Sequence, residues 1–504
     1  MTPNDSHPEV RHQMQLALPV IESFPSLPEE SPPKWSELAD NADRFLMNPS
    51  NGVLRTDDHG YPYFTAFLEG KSKELITYGC VILGKILRGD DVSLVLPTLE
   101  AFYSEEFGLF LNSPGSGRIE HWYLMDVNAL AFGTIKLQLS NNAALREKWH
   151  HSADRLIELA HDLNYDFNTQ GYDFGIGKTF TVREAYRQPD AVAGYAYLMT
   201  LSAVFFDETR YLEEAQTALS IYQSFDQNPW YEVPSGAMAC LAAAYLNSVG
   251  NTFDLQKILE FVFDSESGSL LSGRWGSRAI NGLMIGWRGF SREFATDSAY
   301  SMETMIVLPY ILPVVRYDPR YARAIGKYAL HASVNTRLFF SDYLPETFQS
   351  RPDLRPEIPY EKLCREVEGV SPYGTGDCEG HKSVYGGGFT LWWGSIIEAT
   401  NDAYIPRFDV TKTDFLAQRA YPSFLYYNPF GHERRVTLDV GHGSYDVYDL
   451  TLHDFILSNV GGKVDLALPP DDAKVFVVVP HYGERKNESG KLYMNGIVVD
   501  FHCE

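Results

Sequence analysis

The chain has 504 residues and a formal net charge of −24, with 44% hydrophobic and 21% charged residues. Its length exceeds what one hydrophobic core fills, so at least two structural units are expected, and its composition excludes wholesale disorder or a fibrous architecture. The negative charge repels phosphate backbones and anionic headgroups, and no Lys/Arg run makes a local exception, so nucleic acid and membrane surfaces are poor partners.

The chain opens with a Pro-rich stretch to Pro33, read as an extended arm because seven prolines there remove backbone donors. It carries no apolar signal core, and no apolar run of about 18 residues occurs anywhere, so a soluble, cytoplasmic protein is expected. The scattered cysteines, Cys80, Cys240, Cys364, Cys378 and Cys503, contain no Cys-x-x-Cys pair and suit reduced thiols.

Helical periodicity then predicts helices over Tyr78–Leu87, Leu94–Phe107, Glu120–Leu139, Ala144–Leu163, Asp190–Phe206, Thr209–Phe225, Pro234–Val249, Phe253–Phe263, Ser298–Val315, Arg320–Asn335 and Phe389–Thr400. Segments around Asp126–Leu137, Ala191–Val204 and Gly236–Tyr245 are apolar nearly all round, the mark of a buried helix, whereas their neighbours are amphipathic. An alternation of this kind is what an inner and an outer ring produce. The expected fold is mainly α, an (α/α)6-type helical toroid over residues 34–405 after the arm 1–33. From about Phe408 the period becomes strand-like over 423–428, 435–440, 445–449, 463–468 and 473–479, with two further strands in 490–501, predicting a small C-terminal antiparallel β-sandwich over 406–504.

Loops rich in Gly, aromatic residues and carboxylates precede several apolar helices, and polar density of this kind in connections points to function. Glu120-His121-Trp122-Tyr123 feeds a helix carrying Asp126 and Asn128. Asp173 sits between aromatic residues ahead of Arg183 and Asp190, the last read as an N-cap. Glu232 follows Trp230 and Tyr231 at the start of a helix, where the dipole stabilises a carboxylate even without a catalytic role. Trp275 and Asp297 mark a long Gly-rich excursion, and Asp377, Cys378, Glu379 and His381 precede Gly386-Gly387-Gly388, glycines that permit close approach to a ligand. Asp377, Cys378 and His381 form only a partial ligand set, so no metal is expected, and the chain lacks a P-loop, a Gly-x-Ser-x-Gly elbow and a His-Glu-x-x-His helix. No cofactor is expected.

Helical hairpins, the loops Glu120-His121-Trp122-Tyr123, Asn228-Pro229-Trp230-Tyr231-Glu232 and Tyr373-Gly374-Thr375-Gly376-Asp377, and a β tail together resemble the six-hairpin glycosidase superfamily and the toroidal polysaccharide lyases. The resemblance is one of architecture, and it implies a carbohydrate substrate bound in a groove on the toroid face. For a glycoside hydrolase, paired carboxylates drawn from Glu232, Asp377, Asp173, Asp126 and Asp297 would act as acid and base, with Trp122, Trp230 and Trp275 as stacking faces. For a lyase, a Tyr or His base and a carboxylate-neutralising group would come from His121, Tyr123, Asn128, Arg183, Arg274 and His381. The charge favours the hydrolase over a host for polyanions. A non-catalytic carbohydrate-binding scaffold is the third reading.

Overall fold

A computed structural model of the chain describes residues 15–288, 298–343, 346, 349–365 and 381–503. The helices of eight or more residues described there are α1 (Trp35–Leu46), α2 (Leu75–Arg88), α3 (His121–Gln138), α4 (Ala143–Asp162), α5 (Ala191–Phe206), α6 (Thr209–Ser224), α7 (Val233–Ser248), α8 (Leu255–Val262), α9 (Ser301–Ile311), α10 (Ala322–Asn335) and α11 (Val384–Ile396). Six of them close a ring. Helix α2 packs on α3, α3 on α5, α5 on α7, α7 on α9, α9 on α11, and α11 returns to α2.

Nearly every residue of the ring helices α3, α5, α7 and α9 is buried, and outside the ring α10 is buried as fully because the C-terminal sheet and the arm cover it. Helix α4, outside the ring, buries one stripe, Leu145, Trp149, Ala153, Leu156 and Ala160, at spacings of three and four. Helix α6 does the same with Tyr211, Ala215, Ala218, Leu219 and Tyr222. Helices α1, α4, α6, α8 and α10 form the outer layer. The resemblance to six-hairpin folds therefore has its counterpart in this chain's own packing.

Three expectations need correction. The predicted helix Leu94–Phe107 is a 3-10 stretch, Leu96–Phe102, followed by a short strand, because Tyr103 and Ser104 pair with Phe110 and Leu109 across the turn at Gly108 and so leave the helix. Ser298–Val315 is a strand, Ser298–Tyr300, followed by α9 and by a separate turn Val314–Tyr317, with Pro309 and Pro313 interrupting the hydrogen-bond ladder. Gly388 and Gly394 serve helix packing. A Cβ on Gly388 would stand 2.5 Å from Cys80 Sγ, and one on Gly394 2.2 Å from Ala39 Cβ, so these glycines let α11 lie against α2 and α1.

The C-terminal strands form a six-stranded antiparallel sheet in the spatial order 397–398, 407–409, 423–428, 472–480, 445–449 and 454–460. One face, with Leu425, Tyr427, Val475 and Val477, joins the main core against α10. The other, with Phe424, Tyr426, Val447 and Phe476, buries a second core with Val436, Leu438, Leu466 and Leu468 of the antiparallel strand pair 434–439/463–468. A three-stranded sheet follows over 485–500. The described part of the N-terminal arm lies along α10, with Glu22 paired to Arg323 and the Pro25 carbonyl accepting from His331 Nε2 at 2.6 Å. No helix among the described residues is long and apolar enough to cross a membrane.

Candidate active site

Carboxylates stand where inner helices begin. Glu120 immediately precedes α3, Asp190 precedes α5, Glu232 precedes α7, and Glu303 is the third residue of α9. Unpaired N–H groups at these termini favour negative charge, which partly opposes the cost of burial. Glu361 arrives from the strand paired with Ser298–Tyr300, and its backbone oxygen accepts from Ser301 N at 2.8 Å, at the start of α9.

Glu120, Glu232, Glu303 and Glu361 line one cavity of about 370 Å³ together with Phe67, Trp122, Tyr123, Tyr186, Tyr231, Trp287, Met302 and Tyr385. These residues come from the first turns of α3, α7, α9 and α11 and the segments leading into them, so those helices present their N-terminal ends to the same mouth. The Trp122 and Tyr123 rings are 4.1 Å apart, and Phe67 meets Tyr385 edge-on at 5.4 Å. An acidic floor with aromatic walls suits a polyhydroxylated ligand, whose hydroxyls donate to carboxylates and whose C–H faces lie on rings.

The four acids differ in their partners. Glu120 is half-buried and clamped, accepting from Gln170 Nε2 at 2.9 Å and Gln188 Nε2 at 2.6 Å. Glu361 accepts from Tyr385 Oη at 2.7 Å and Ser301 Oγ at 3.2 Å. Burial pushes Glu361 up to about 7, with these hydrogen bonds holding it lower than burial alone would. Glu232 and Glu303 are 4% and 3% exposed, and the Oε2 of each has no hydrogen-bond partner among the described residues. Burial raises both well above the usual carboxylate range. The charge of Glu303 adds to the effect at Glu232, and that of Glu361 adds at Glu303. Three acids coupled in this way share protons, and they cannot all be ionised together at neutral pH.

The sequence-derived candidates divide on this geometry. Glu232, Tyr123 and Trp122 line the cavity. Arg183 lies at its edge, its guanidinium 5.6 Å over the Tyr186 ring, and His381 is exposed with its ring 5.2 Å from Phe67. Asp126 is fully buried one turn below Trp122, with neither carboxylate oxygen hydrogen-bonded among the described residues, and burial pushes it up to about 7. His121 is not in the cavity: its Nε2 meets Thr169 Oγ1 at 2.8 Å, its ring stands edge-on to Phe167, and burial pushes it down to about 3, which makes it a neutral core histidine. Asn128 donates to the carbonyls of Phe110 and Leu124 inside the core.

Asp173 belongs to a hairpin opposite Arg118 and accepts from Gly175 N at 3.0 Å, outside the lining of this cavity. Trp230 is buried without lining the cavity, Trp275 packs in a separate cluster with Ile280 and Leu283, and Arg274 pairs with Glu29 of the arm. Asp190 makes no side-chain cap on its own helix, and accepts instead from the backbone of Tyr231 and Glu232. Asp297, Asp377, Cys378 and Glu379 lie outside the described residues.

Glu303 and Glu361 are the acids that sequence reasoning missed. Glu303 did leave a signal, being the only charged residue from Ser298 to Val315. Glu361, in Pro359-Tyr360-Glu361-Lys362, left none.

No family model and no curated protein matches the chain. Among solved structures it is similar to a cellobiose 2-epimerase from Spirochaeta thermophila, at 12% identity and a TM-score of 0.45 over 72% of this chain and 95% of that one. It is also similar to an α-1,6-mannanase from Salegentibacter, at 13% identity and a TM-score of 0.41 over 72% and 98% of the two chains. A third is a possible member of the GH105 family from Salmonella enterica, at 12% identity and a TM-score of 0.38 over 77% and 96%. At these identities and TM-scores none of them speaks to what this chain acts on.

Proposed function

We propose that the chain is a carbohydrate-active enzyme, a glycoside hydrolase working by carboxylate acid/base catalysis at the ring mouth. The observation that carries this reading is the pair of buried carboxylate oxygens of Glu232 and Glu303, without hydrogen-bond partners among the described residues, in an aromatic-walled cavity that also holds Glu361. A carboxyl kept neutral by burial beside one whose charge is supported by hydrogen bonds is the division of labour that glycoside hydrolysis needs.

In this reading Glu232 holds the proton and delivers it to the glycosidic oxygen as the C–O bond breaks. Glu361, oriented by Tyr385 and Ser301, supplies the negative charge on the other side of the anomeric carbon. It either takes a proton from the attacking water or forms the bond to carbon itself, according to its separation from the acid. Glu303, between them electrostatically, keeps the proton on Glu232.

The lyase reading finds less support. It needs a base of low pKa and a cation for the uronate, yet burial and nearby carboxylates push Tyr123 well up, burial raises Tyr231, and no Arg, Lys or His is among the described residues lining the cavity. The test is incubation with neutral and uronate-containing oligosaccharides. New reducing ends without an unsaturated product support the hydrolase, an ultraviolet-absorbing unsaturated uronate supports the lyase, and binding without turnover supports a scaffold.

A further inference from the structure

A second, smaller cavity borders the first at the start of α3. Glu120 and Tyr123 also line this space of about 170 Å³, whose other side is formed by Asn112, Ser113, Ser116 and Arg118. The two spaces differ in hydrogen-bonding character. The first gathers four carboxylates, whereas the second has one, Glu120, facing the donors of Asn112, Ser113, Ser116 and Arg118.

Asn112 accepts on Oδ1 from Leu75 N at 2.7 Å and Ile76 N at 3.4 Å, where α2 begins, and this fixes the amide with its Nδ2 donor directed elsewhere. The Arg118 guanidinium rests 4.0 Å over the Phe180 ring, an arrangement that orders the plane while leaving its N–H edge for hydrogen bonding. Asp173 lies directly opposite Arg118 in the strand register, and Glu120 stands in the same lining, so carboxylates already neighbour the guanidinium. An anionic substituent therefore gains little here, and a neutral hydroxylated group, able both to accept from Arg118 and to donate to Glu120, fits better. Together the two cavities fall in the range of about 300–1,000 Å³ that holds small-molecule ligands.

We propose that the second cavity is a neighbouring sugar subsite, and that the substrate is a neutral oligosaccharide of two or more units, one unit at the carboxylates and the next against Asn112, Ser116 and Arg118. This rests on the hydrolase reading. Glu120, fixed by its two glutamines, is the acceptor that both units share.

The experiment compares glycosyl fluorides of neutral hexoses, which occupy the first cavity alone, with the matching di- to pentasaccharides. It uses the wild type, Ser116→Trp, which fills the second cavity from an exposed position, and Arg118→Ala. The wild type is expected to prefer oligosaccharides, and both variants to lower the ratio of kcat/KM for oligosaccharide to that for the fluoride at least tenfold, mainly through KM. An unchanged ratio in both variants, or a wild type indifferent to length, overturns the subsite. If no glycoside is turned over, quenching of tryptophan fluorescence by the same oligosaccharides decides. Length-dependent binding lost in Ser116→Trp keeps the subsite while removing the hydrolase, and absence of binding removes both.

Discussion

The carboxylate of Asp190 accepts the backbone N–H of Glu232 at 3.3 Å and that of Tyr231 at 2.9 Å, so an acid at the start of one inner helix fixes the start of the next. Asp190 acts through Glu232 and is a positioning residue. Asp190→Ala is expected to lower kcat at least tenfold and to cost about 1–3 kcal/mol of stability through unsatisfied N–H groups. Asp190→Asn keeps an acceptor and should recover most of both. Steady-state kinetics with thermal melts separates the two effects, and full activity in Asp190→Ala would remove the positioning role.

In the proposed mechanism Glu232→Gln and Glu361→Gln would each remove an acid/base group, for which losses of about 10²–10⁴ in turnover are expected. Folding should survive, because glutamine matches the shape and lightens the burden of buried charge. Glu303→Gln should act differently. Removing its charge eases ionisation of Glu232 and moves the alkaline limb of the pH–rate profile to lower pH.

Tyr385→Phe gives a more selective reading of the site. The Tyr385 hydroxyl favours the charged form of Glu361, which lies at about 7. Without that hydrogen bond Glu361 rises, so the acid limb of the kcat profile should move to higher pH. A profile that scales down without moving would mean that Glu361 is not the base.

Asp126 makes a prediction about stability. Its folded value is raised above the unfolded one, so the folded chain binds the extra proton and stability falls as pH rises from about 4 to about 7. Asp126→Asn lacks this titration. The stability difference between the two proteins should change by on the order of 4 kcal/mol between pH 4 and pH 8 in favour of the variant, as measured by denaturant unfolding.

Gly394→Ala tests the packing of the ring against its outer layer. A Cβ there meets Ala39 Cβ and the Trp35 carbonyl, both held by helix backbone. A cost of about 1–3 kcal/mol or more is expected, and an unchanged melting temperature would contradict the close approach of α1 and α11.

Much of the helical order was legible because an inner helix has to be apolar on every side, and Ala191–Phe206 or Val233–Ser248 shows this without reference to any neighbour. Trp35–Leu46 was not foreseen. Its buried face of Trp35, Leu38, Ala42 and Phe45 is interleaved with Glu37, Asp40, Asp43 and Arg44, and it begins only two residues after Pro33, in what reads as the end of the arm. Glu232 was legible from its place before an apolar helix, a local signal. Glu361 is brought to the cavity by a strand pairing across more than sixty residues, and no local pattern encodes that. His121 misled because aromatic and acidic neighbours in sequence say nothing about which side of a helix start faces the mouth.

The closing contact of the ring joins α11, ending at Ile396, to α1 and α2, which end by Arg88. On a ribosome this contact is the last of the circle to become available, since some three hundred residues separate its halves. Until it forms, the nascent chain is an open arc with apolar flanks exposed, and the Phe67 and Tyr385 rings that meet across the cavity are still far apart. A chain released early would be without a binding chamber and would present the surfaces that chaperones and proteases recognise. Synthesis as far as α11 thus becomes a precondition for a closed chamber.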